Sequence, residues 1–327
     1  MNHTGKPLIV IAGPTATGKS DLAAELARRI NGEVVSADSM QVYRHMDIGS
    51  AKVTLEEMLG VPHHMIDVCE PDDAMDAARY AEEAGACIRD IHERGRIPVL
   101  CGGTGFYIQA VVNGIDFSEN APSEEYRRAL AAYAEEHGNE ALHARLAEED
   151  PDAAAEIHPN NVKRVIRALE FCRENGDRIS EHNRRERERH TPYDLMFFVL
   201  TDDRGILYKR IDDRVSFMDA EGLFDEVAYL RAMGLDRGCV SMQGIGYKEV
   251  LDYMDGLCTR EEALDRIRLG SRHYAKRQIT WFKREKDAIW LNRQDFGGDT
   301  FAILDEVLSR VSEHYGIIPL KVRDPHT

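Results

Sequence analysis

Short apolar runs alternate with helical patterns along the first two thirds of the chain. The runs lie at 7–13, 32–38, 96–102 and 195–201, and glycine, proline or charged residues bound each of them. Runs of this length and setting are typical of buried strands. Helical periodicity fills the stretches between them, notably at 20–30 and 77–94. This alternation predicts an α/β fold in which helices flank a parallel sheet.

The stretch from 116 to 192 contains no convincing strand pattern. It predicts consecutive helices at 123–137, 139–150, 151–157, 160–175 and 178–190. We therefore expect an all-helical insertion domain at 116–192, carried by an α/β core formed by 1–115 and 193–327. The chain after 201 is again mostly helical, with helices predicted at 203–218, 220–233, 246–255 and 260–286.

A glycine-rich segment joins the first predicted strand to the first predicted helix. It reads Gly13-Pro14-Thr15-Ala16-Thr17-Gly18-Lys19-Ser20, which matches the phosphate-binding loop pattern in the strand-to-helix setting that the pattern requires. Backbone N–H groups of such a loop and of the helix N-terminus converge on an anion. The Lys19 side chain adds a positive charge, and the Ser20 hydroxyl can hold Mg²⁺. The loop alone does not indicate whose phosphates are bound.

Polar residues follow two other predicted strands. Asp38 ends the strand at 32–38, where it could act as a general base, as a metal ligand or as the N-cap of a following helix. Gly102-Gly103-Thr104-Gly105 ends the strand at 96–102, either as a simple turn and cap or as a close approach to a ligand. Since ligands of parallel sheets bind at the carboxyl ends of the strands, we expect these segments and the phosphate loop to form one pocket.

The composition narrows the class of protein. The net charge of −16 argues against indiscriminate nucleic-acid binding, yet basic residues concentrate at 163–189 and 266–286. These runs are either solvated helix faces or local sites for a polyanion. The six cysteines form no CxxC pair, no apolar run approaches a membrane span, and no signal peptide precedes the first strand. A cytoplasmic protein without membrane contact is expected.

Motifs in the same order along nearly the whole chain resemble the bacterial tRNA dimethylallyltransferases, also called isopentenyl-tRNA transferases. Besides the phosphate loop, these motifs are Asp38-Ser39-Met40-Gln41-Val42-Tyr43, Met46-Asp47-Ile48-Gly49-Ser50-Ala51-Lys52, Pro62-His63-His64-Met65-Ile66-Asp67, Gly102-Gly103-Thr104-Gly105-Phe106-Tyr107, His158-Pro159-Asn160-Asn161 with Arg164-Val165-Ile166-Arg167-Ala168-Leu169-Glu170, Gly244-Ile245-Gly246-Tyr247-Lys248-Glu249, and Tyr274-Ala275-Lys276-Arg277-Gln278-Ile279-Thr280-Trp281-Phe282.

The resemblance implies transfer of a dimethylallyl group from dimethylallyl diphosphate to N6 of adenosine 37 in tRNA, beside the anticodon. The phosphate loop would then hold a leaving diphosphate, with Mg²⁺ on Ser20. The target base would have to be flipped out of the anticodon loop to reach the donor. The helical insertion would grip the anticodon stem-loop, and the enzyme is expected to work as a monomer.

The resemblance also implies a role for individual residues. Asp38 would be the general base, Thr104 would contact the bridging oxygen of the diphosphate, and Lys19 would stabilise the charge that develops on it. The implied diphosphate-binding residues are Gly13, Thr15, Ala16, Thr17, Gly18, Lys19, Ser20 and Arg214. The implied tRNA-binding residues are Asp38, Ser39, Met40, Gln41, Thr104, Arg127, Lys163, Arg164, Val165, Ile166 and Arg167.

Two other functions use the same phosphate loop. A small-molecule kinase would bind ATP there and would need an arginine-bearing lid, which the basic run at 163–189 could supply. A nucleotide switch that binds RNA without chemistry is the second alternative, although the chain has no N-K-x-D guanine-reading motif. The donor separates these functions, because a kinase needs ATP and the transferase needs dimethylallyl diphosphate.

Overall fold

The computed structural model describes residues 5–115, 124–188 and 191–320. The chain divides into two compact units, Met1–Gly114 with Thr191–Thr327, and Ile115–His190. These divisions lie within two residues of the boundaries expected from the sequence. We call the first the α/β unit and the second the helical unit. Among the described helices, none is long and apolar enough to cross a membrane.

All strands of the described chain belong to the α/β unit and form one parallel sheet. The strands are β1 (Lys6–Ala12), β2 (Gly32–Ala37), β3 (His63–His64), β4 (Ile97–Gly102), β5 (Tyr193–Thr201) and β6 (Ile289–Asn292). Their spatial order is β3-β2-β4-β1-β5-β6. The four strands expected from the apolar runs are the four longest in this sheet, and the α/β prediction is confirmed.

Helices account for most of the remaining described chain. They are α1 (Lys19–Arg29), α2 (Ala77–Glu93), α3 (Gly105–Val112), α4 (Glu124–His137), α5 (Asn139–Glu149), α6 (Pro151–Glu156), α7 (Val162–Asn175), α8 (Ile179–Glu188), α9 (Arg204–Glu221), α10 (Leu223–Ala232), α11 (Tyr247–Met254), α12 (Arg260–Phe282) and α13 (Thr300–Tyr315). Short 3₁₀ turns occur at Ser241–Gln243 and Arg293–Phe296.

Strand β1 lies at the centre of the sheet and is buried on both faces. Its side chains alternate between two hydrophobic cores, because successive residues of a strand point to opposite faces. Leu8 and Val10 belong to the core that includes α2, α3 and much of α9–α12, whereas Ile9 and Ile11 belong to the core closed by α1 and α13. The uninterrupted apolar sequence of β1 is what this two-sided burial requires.

The helical unit has a core of its own. Its described part, α4 to α8, contains no strand, and its buried centre is formed by residues such as Leu142, Leu146, Val165 and Leu169. Pro151 begins α6, where its missing N–H costs no helical hydrogen bond. Ser123, expected to start α4, and residues 189–190, expected to end α8, lie outside the described residues.

The elements that were not predicted from the sequence include two short strands, β3 and β6, and the helices α3 and α13. Strand β3 has only two residues and β6 only four, which is too short for an alternating pattern to register. The predicted helix at 260–286 ends earlier, at Phe282, and the chain then turns into β6. Helix α13 buries Ile303, Val307 and Val311. Their spacing of four residues is typical of one face of a helix and is present in the sequence.

Candidate active site

The sheet brings three polar segments to one edge. Strand β4 lies between β1 and β2, and in register Gly102 pairs with Ala12 on one side and with Ala37 on the other. The residues that follow these strands are therefore neighbours, namely Gly13, Asp38 and Gly103. Added Cβ atoms at Gly13 and Gly102 would collide with the backbone carbonyls of Leu200 and Ala37. The close strand packing at this edge thus depends on glycine at both positions.

The loop between β1 and α1 is the segment that its sequence pattern predicts to bind phosphate. Ala16 and Gly18 both adopt the left-handed region, with φ of 64° and 80°. The Thr17 hydroxyl and the Lys19 ammonium both donate to the Pro14 carbonyl, at 2.9 and 2.8 Å. The lysine side chain is therefore folded over its own loop, where an incoming phosphate could take the place of the carbonyl.

Burial lowers the pKa of Lys19 to about 8, the Arg214 guanidinium adds to this effect, and the Cys101 side chain and Asp38 carboxylate oppose it. Burial also lowers the pKa of Arg214. Both cations are thus buried at this edge of the sheet, where Asp38 acts on each of them and where Glu57 and Asp21 also act on Arg214. Buried cations can bind a ligand with several negative charges, because the ligand offsets the cost of burying their charge.

Three arginines contact the phosphate loop. Arg214 on α9 donates to the Thr15 hydroxyl at 3.1 Å. Arg210, one helical turn before it, donates to the Ala16 carbonyl at 2.7 Å, and the buried Arg293 donates to the Thr17 carbonyl at 3.2 Å. Sequence reasoning assigned no role to Arg210 or Arg293. The four-residue spacing of Arg210 and Arg214, which places both on one face of α9, could have indicated a role for Arg210.

Asp38 holds the backbone that follows β2. Its Oδ1 accepts from the N–H of Met40 at 2.9 Å and of Gln41 at 3.4 Å. The chain continues as turns and not as a helix, so the alternative of a helix N-cap is wrong although the local capping bond exists. Oδ2 accepts no hydrogen bond from any described residue. One carboxylate oxygen therefore fixes the loop while the other remains available to a ligand.

Thr104 and Gln278 connect the segments. The Thr104 hydroxyl accepts from the Ser39 N–H at 3.0 Å. The Gln278 carboxamide accepts from the Thr15 N–H and donates to the Gly103 carbonyl, both at 2.9 Å. Tyr274 lies near Thr104 and Gln278, and burial raises the pKa of this tyrosine to about 12. Helix α12 thus braces the phosphate loop against the loop after β4.

A cavity of about 380 Å³ opens at this edge of the sheet. One part of its wall is polar and includes Lys19, Ser20, Asp38 and Arg214. Another part is apolar and includes Ile211, Val215, Met218, Ile245 and Ile267. Side chains of α12 at 267, 271, 274 and 278 all line it, with the spacing of one helix face. Tyr274 and Gln278 could have been assigned to the site from that spacing.

The cavity offers few fixed ligands for a metal ion. The described residues contain no group of three or more His, Cys, Asp or Glu side chains arranged to hold one. The Ser20 side chain does line the cavity, next to the lysine of the loop. This oxygen fits a Mg²⁺ that takes most of its ligands from phosphate and water, which is the usual way in which Mg²⁺ is bound at phosphate sites.

The residues after Asp38 differ in what they can present to a substrate. Ser39, Met40 and Gln41 all line the cavity. Gln41 is buried, and its amide accepts from the Ser36 hydroxyl and donates to the Ala51 carbonyl, both at 3.1 Å. Its polar atoms therefore hold the loop in place. Met40 packs against Gly244, where a side chain larger than hydrogen would displace it.

The helical unit carries the other predicted tRNA-binding residues. Lys163, Arg164 and Arg167 are exposed near the start of α7. Glu170 is completely buried, and both Arg127, at 2.7 Å, and Arg167, at 3.0 Å, pair with its carboxylate. These ion pairs lower the pKa of Glu170 against the opposing effect of its burial.

Val165 and Ile166 need a correction within this set. Both side chains belong to the core of the helical unit, with exposures of 0 and 9%. Apolar side chains on the buried face of α7 stabilise the helix by packing in this core, and they do not reach a ligand on its exposed face. The candidate contact surface of α7 is therefore formed by Lys163, Arg164 and Arg167.

Comparisons with known proteins agree on one family. The sequence profile of the IPP transferases matches residues 41–285. A tRNA dimethylallyltransferase from Lachnoclostridium phytofermentans is 49% identical over 308 residues, which are 94% of this chain and 98% of that protein. One from Halalkalibacterium halodurans is 49% identical over 292 residues, 89% of this chain and 93% of that protein.

Solved structures give the same result. A tRNA isopentenylpyrophosphate transferase from Bacillus halodurans aligns with a TM-score of 0.71 and 45% identity, covering 95% of this chain and 98% of that chain. A eukaryotic dimethylallyltransferase acting on tRNA aligns with a TM-score of 0.83 and 29% identity, covering 98% and 82%. The resemblance found in the motifs is confirmed. The chain belongs to the IPP transferase family and is a prenyltransferase of the tRNA dimethylallyltransferase type.

Proposed function

We propose that this protein transfers a dimethylallyl group from dimethylallyl diphosphate to N6 of adenosine 37 in tRNA and releases diphosphate. The observation that carries the proposal is the cavity at the sheet edge. It combines a cationic end at Lys19 and Arg214, an apolar wall and a carboxylate, Asp38, with one oxygen available. A prenyl diphosphate and an amine acceptor together need these three environments.

The donor would bind with its diphosphate in the phosphate loop. Backbone N–H groups at 16–20 and the Lys19 and Arg214 cations would surround the anion. Mg²⁺ held by the Ser20 hydroxyl and phosphate oxygens would add positive charge there when bound. Thr104 follows β4 and its hydroxyl accepts from the Ser39 N–H, so its own proton would be free to turn to the bridging oxygen. The apolar side chains from α9 and α12 would enclose the five-carbon tail.

The transfer breaks the bond between the allylic carbon and the bridging oxygen, and the electron pair leaves with the diphosphate. Adenine N6 then forms the new bond to that carbon. Its lone pair is delocalised into the ring, so it becomes an effective nucleophile only as its proton departs. The available Oδ2 of Asp38 would accept this proton. The Lys19 and Arg214 cations would stabilise the leaving group, and stabilisation of this kind is usually the largest single contribution to catalysis.

The tRNA would be held by two sets of residues. The exposed cations Lys163, Arg164 and Arg167, with Arg127, would contact phosphates of the anticodon stem-loop. Asp38, Ser39, Met40, Gln41 and Thr104 would meet the flipped adenosine. We further propose that the enzyme is cytoplasmic, which fits a tRNA substrate, and that it acts as a monomer. Light scattering during size-exclusion chromatography tests the oligomeric state.

One assay tests the proposed function directly. The protein is incubated with unmodified tRNA and radiolabelled dimethylallyl diphosphate in the absence of ATP. Label should enter the tRNA, and it should not enter a matched tRNA in which adenosine 37 is replaced by guanosine. Label in neither RNA, together with phosphate transfer from labelled ATP in a separate reaction, would support the kinase instead.

A further inference from the structure

The carboxylate of Glu226 on α10 supports one wall of the cavity from behind. It accepts from three consecutive backbone N–H groups, those of Asp47 at 2.7 Å, Ile48 at 2.7 Å and Gly49 at 3.0 Å. The Tyr247 hydroxyl donates to the same carboxylate at 2.9 Å. Consecutive N–H groups that converge on one anion fix the backbone more firmly than any single hydrogen bond.

The segment held in this way, residues 47–51, forms part of the cavity wall through Gly49, Ser50 and Ala51. Gly49 is packed against the Tyr247 ring, since an added Cβ would lie 2.5 Å from its Cζ. The turn therefore depends on glycine at this point. The far end of the segment is fixed separately by Lys52, whose ammonium donates to the Tyr43 carbonyl at 2.8 Å.

Two residues of the candidate site take their positions from this segment. Arg214 donates to the Ser50 carbonyl at 3.4 Å while its other terminal nitrogen reaches Thr15 of the phosphate loop. Gln41 donates to the Ala51 carbonyl at 3.1 Å. A displacement of the segment would therefore change the position of Arg214, which faces the donor, and of the loop at Gln41, which faces the acceptor.

We propose that Glu226 is a positioning residue of the prenyl transfer, which acts through the segment 47–51 on Arg214. The inference rests on the proposed function, because it assumes that Arg214 binds the diphosphate of the donor. Glu226 itself contacts backbone and Tyr247 and needs no contact with substrate. A mutation of Glu226 should therefore weaken donor binding although the residue lies outside the site.

The test compares Glu226→Gln with Asp225→Asn, a matched loss of one carboxylate charge on the neighbouring, exposed residue of α10. The glutamine has nearly the same size but must present an NH₂ group to N–H donors. We expect its KM for dimethylallyl diphosphate and its dissociation constant for inorganic diphosphate to rise roughly tenfold, the loss of one charged hydrogen bond. Asp225→Asn should change neither.

A double mutant separates positioning from general stability. If Glu226 acts through Arg214, Glu226→Gln should change diphosphate affinity little in an Arg214→Ala background, whereas independent effects would add. A lowered melting temperature with unchanged diphosphate affinity, or full additivity, would overturn the inference. Failure of the wild-type protein to bind diphosphate or to transfer the prenyl group would instead refute the proposed function.

Discussion

At the scale of single residues, Asp38 and Lys19 are each occupied by the protein's own backbone. Asp38 bonds the loop after β2 through one oxygen, and Lys19 donates to Pro14 in its own loop. The second carboxylate oxygen of Asp38 remains available to a ligand, and the Lys19 ammonium can exchange the Pro14 carbonyl for one. A structural role and a chemical role therefore coexist in one side chain, and a substitution has to be chosen so that it removes only one of them.

Asp38→Asn removes the chemical role of this residue alone. The asparagine Oδ1 can still accept from the Met40 and Gln41 N–H groups, so folding and donor binding should stay nearly unchanged. It cannot take the N6 proton, and turnover should fall by roughly 10²–10⁴. Single-turnover transfer measures the chemical step. Full activity of Asp38→Asn would rule out the general base and leave the family assignment intact.

The lowered pKa of Lys19 predicts how donor binding depends on pH. Burial gives the free enzyme a pKa of about 8 at this residue, and a bound diphosphate should raise it. Binding should then take up about half a proton at pH 8, and affinity should decrease as the pH rises above 8. Calorimetry in buffers of different ionisation enthalpy measures the uptake. The matched variant Lys19→Arg, which stays protonated, should bind without this pH dependence.

At the scale of elements, the sequence predicted the site's framework better than its internal contacts. The strand ends at Ala12, Ala37 and Gly102 follow from apolar runs, and the phosphate loop follows from its pattern. Gln278 could not be paired with Thr15 in this way, because a hydrogen bond between positions 263 residues apart leaves no local pattern. The burial of Val165 and Ile166 was readable from helical spacing, yet the resemblance placed them with their exposed neighbours.

The exposure of the basic side chains on α7 indicates which of them can bind RNA. Lys163 and Arg164 are exposed, whereas Arg167 also neutralises the buried Glu170. The double variant Lys163→Ala with Arg164→Ala should weaken tRNA binding and reduce its salt dependence by about one unit of slope for each lost phosphate contact. Filter binding at several salt concentrations measures both. Arg128→Ala, an exposed cation on α4 outside the predicted set, is the control.

Arg167→Ala should behave differently from that pair. It leaves Glu170 buried with one partner fewer, so it should also lower the melting temperature. If the Lys163 and Arg164 variant binds tRNA normally at every salt concentration, the start of α7 is only a solvated helix face.

At the scale of the whole molecule, donor and acceptor are predicted to meet different parts of the chain. The diphosphate-binding residues all belong to the α/β unit, whereas the predicted tRNA-binding residues are divided between both units. The sequence predicts two units because 116–192 has helical patterns and no strand pattern, whereas only the resemblance assigns residues to the donor and to the tRNA. The number of helices in each unit and the short edge strands could not be predicted from the sequence, since they depend on packing between distant segments.

Hydrogen exchange can detect this division in the intact protein. Inorganic diphosphate with Mg²⁺ should slow exchange at 13–20 and 47–51. Unmodified tRNA should slow exchange near 38–41 and also at 162–167. Ligand binding lowers the population of open states in the segments it contacts, which is the reason for the protection. Protection of 162–167 by diphosphate alone, or its absence with tRNA, would contradict the assignment.

The brace between α12 and the phosphate loop also has a consequence for synthesis on the ribosome. Thr15 is made early, but its hydrogen-bond partner Gln278 comes 263 residues later. At elongation rates of about 5–20 residues per second, the loop waits roughly 13 to 53 s for this partner. A nascent chain therefore carries a recognisable phosphate loop long before the loop is locked in place. Pulse-labelled chains that stop short of α12 should bind diphosphate poorly, and donor binding should appear only when translation is nearly complete.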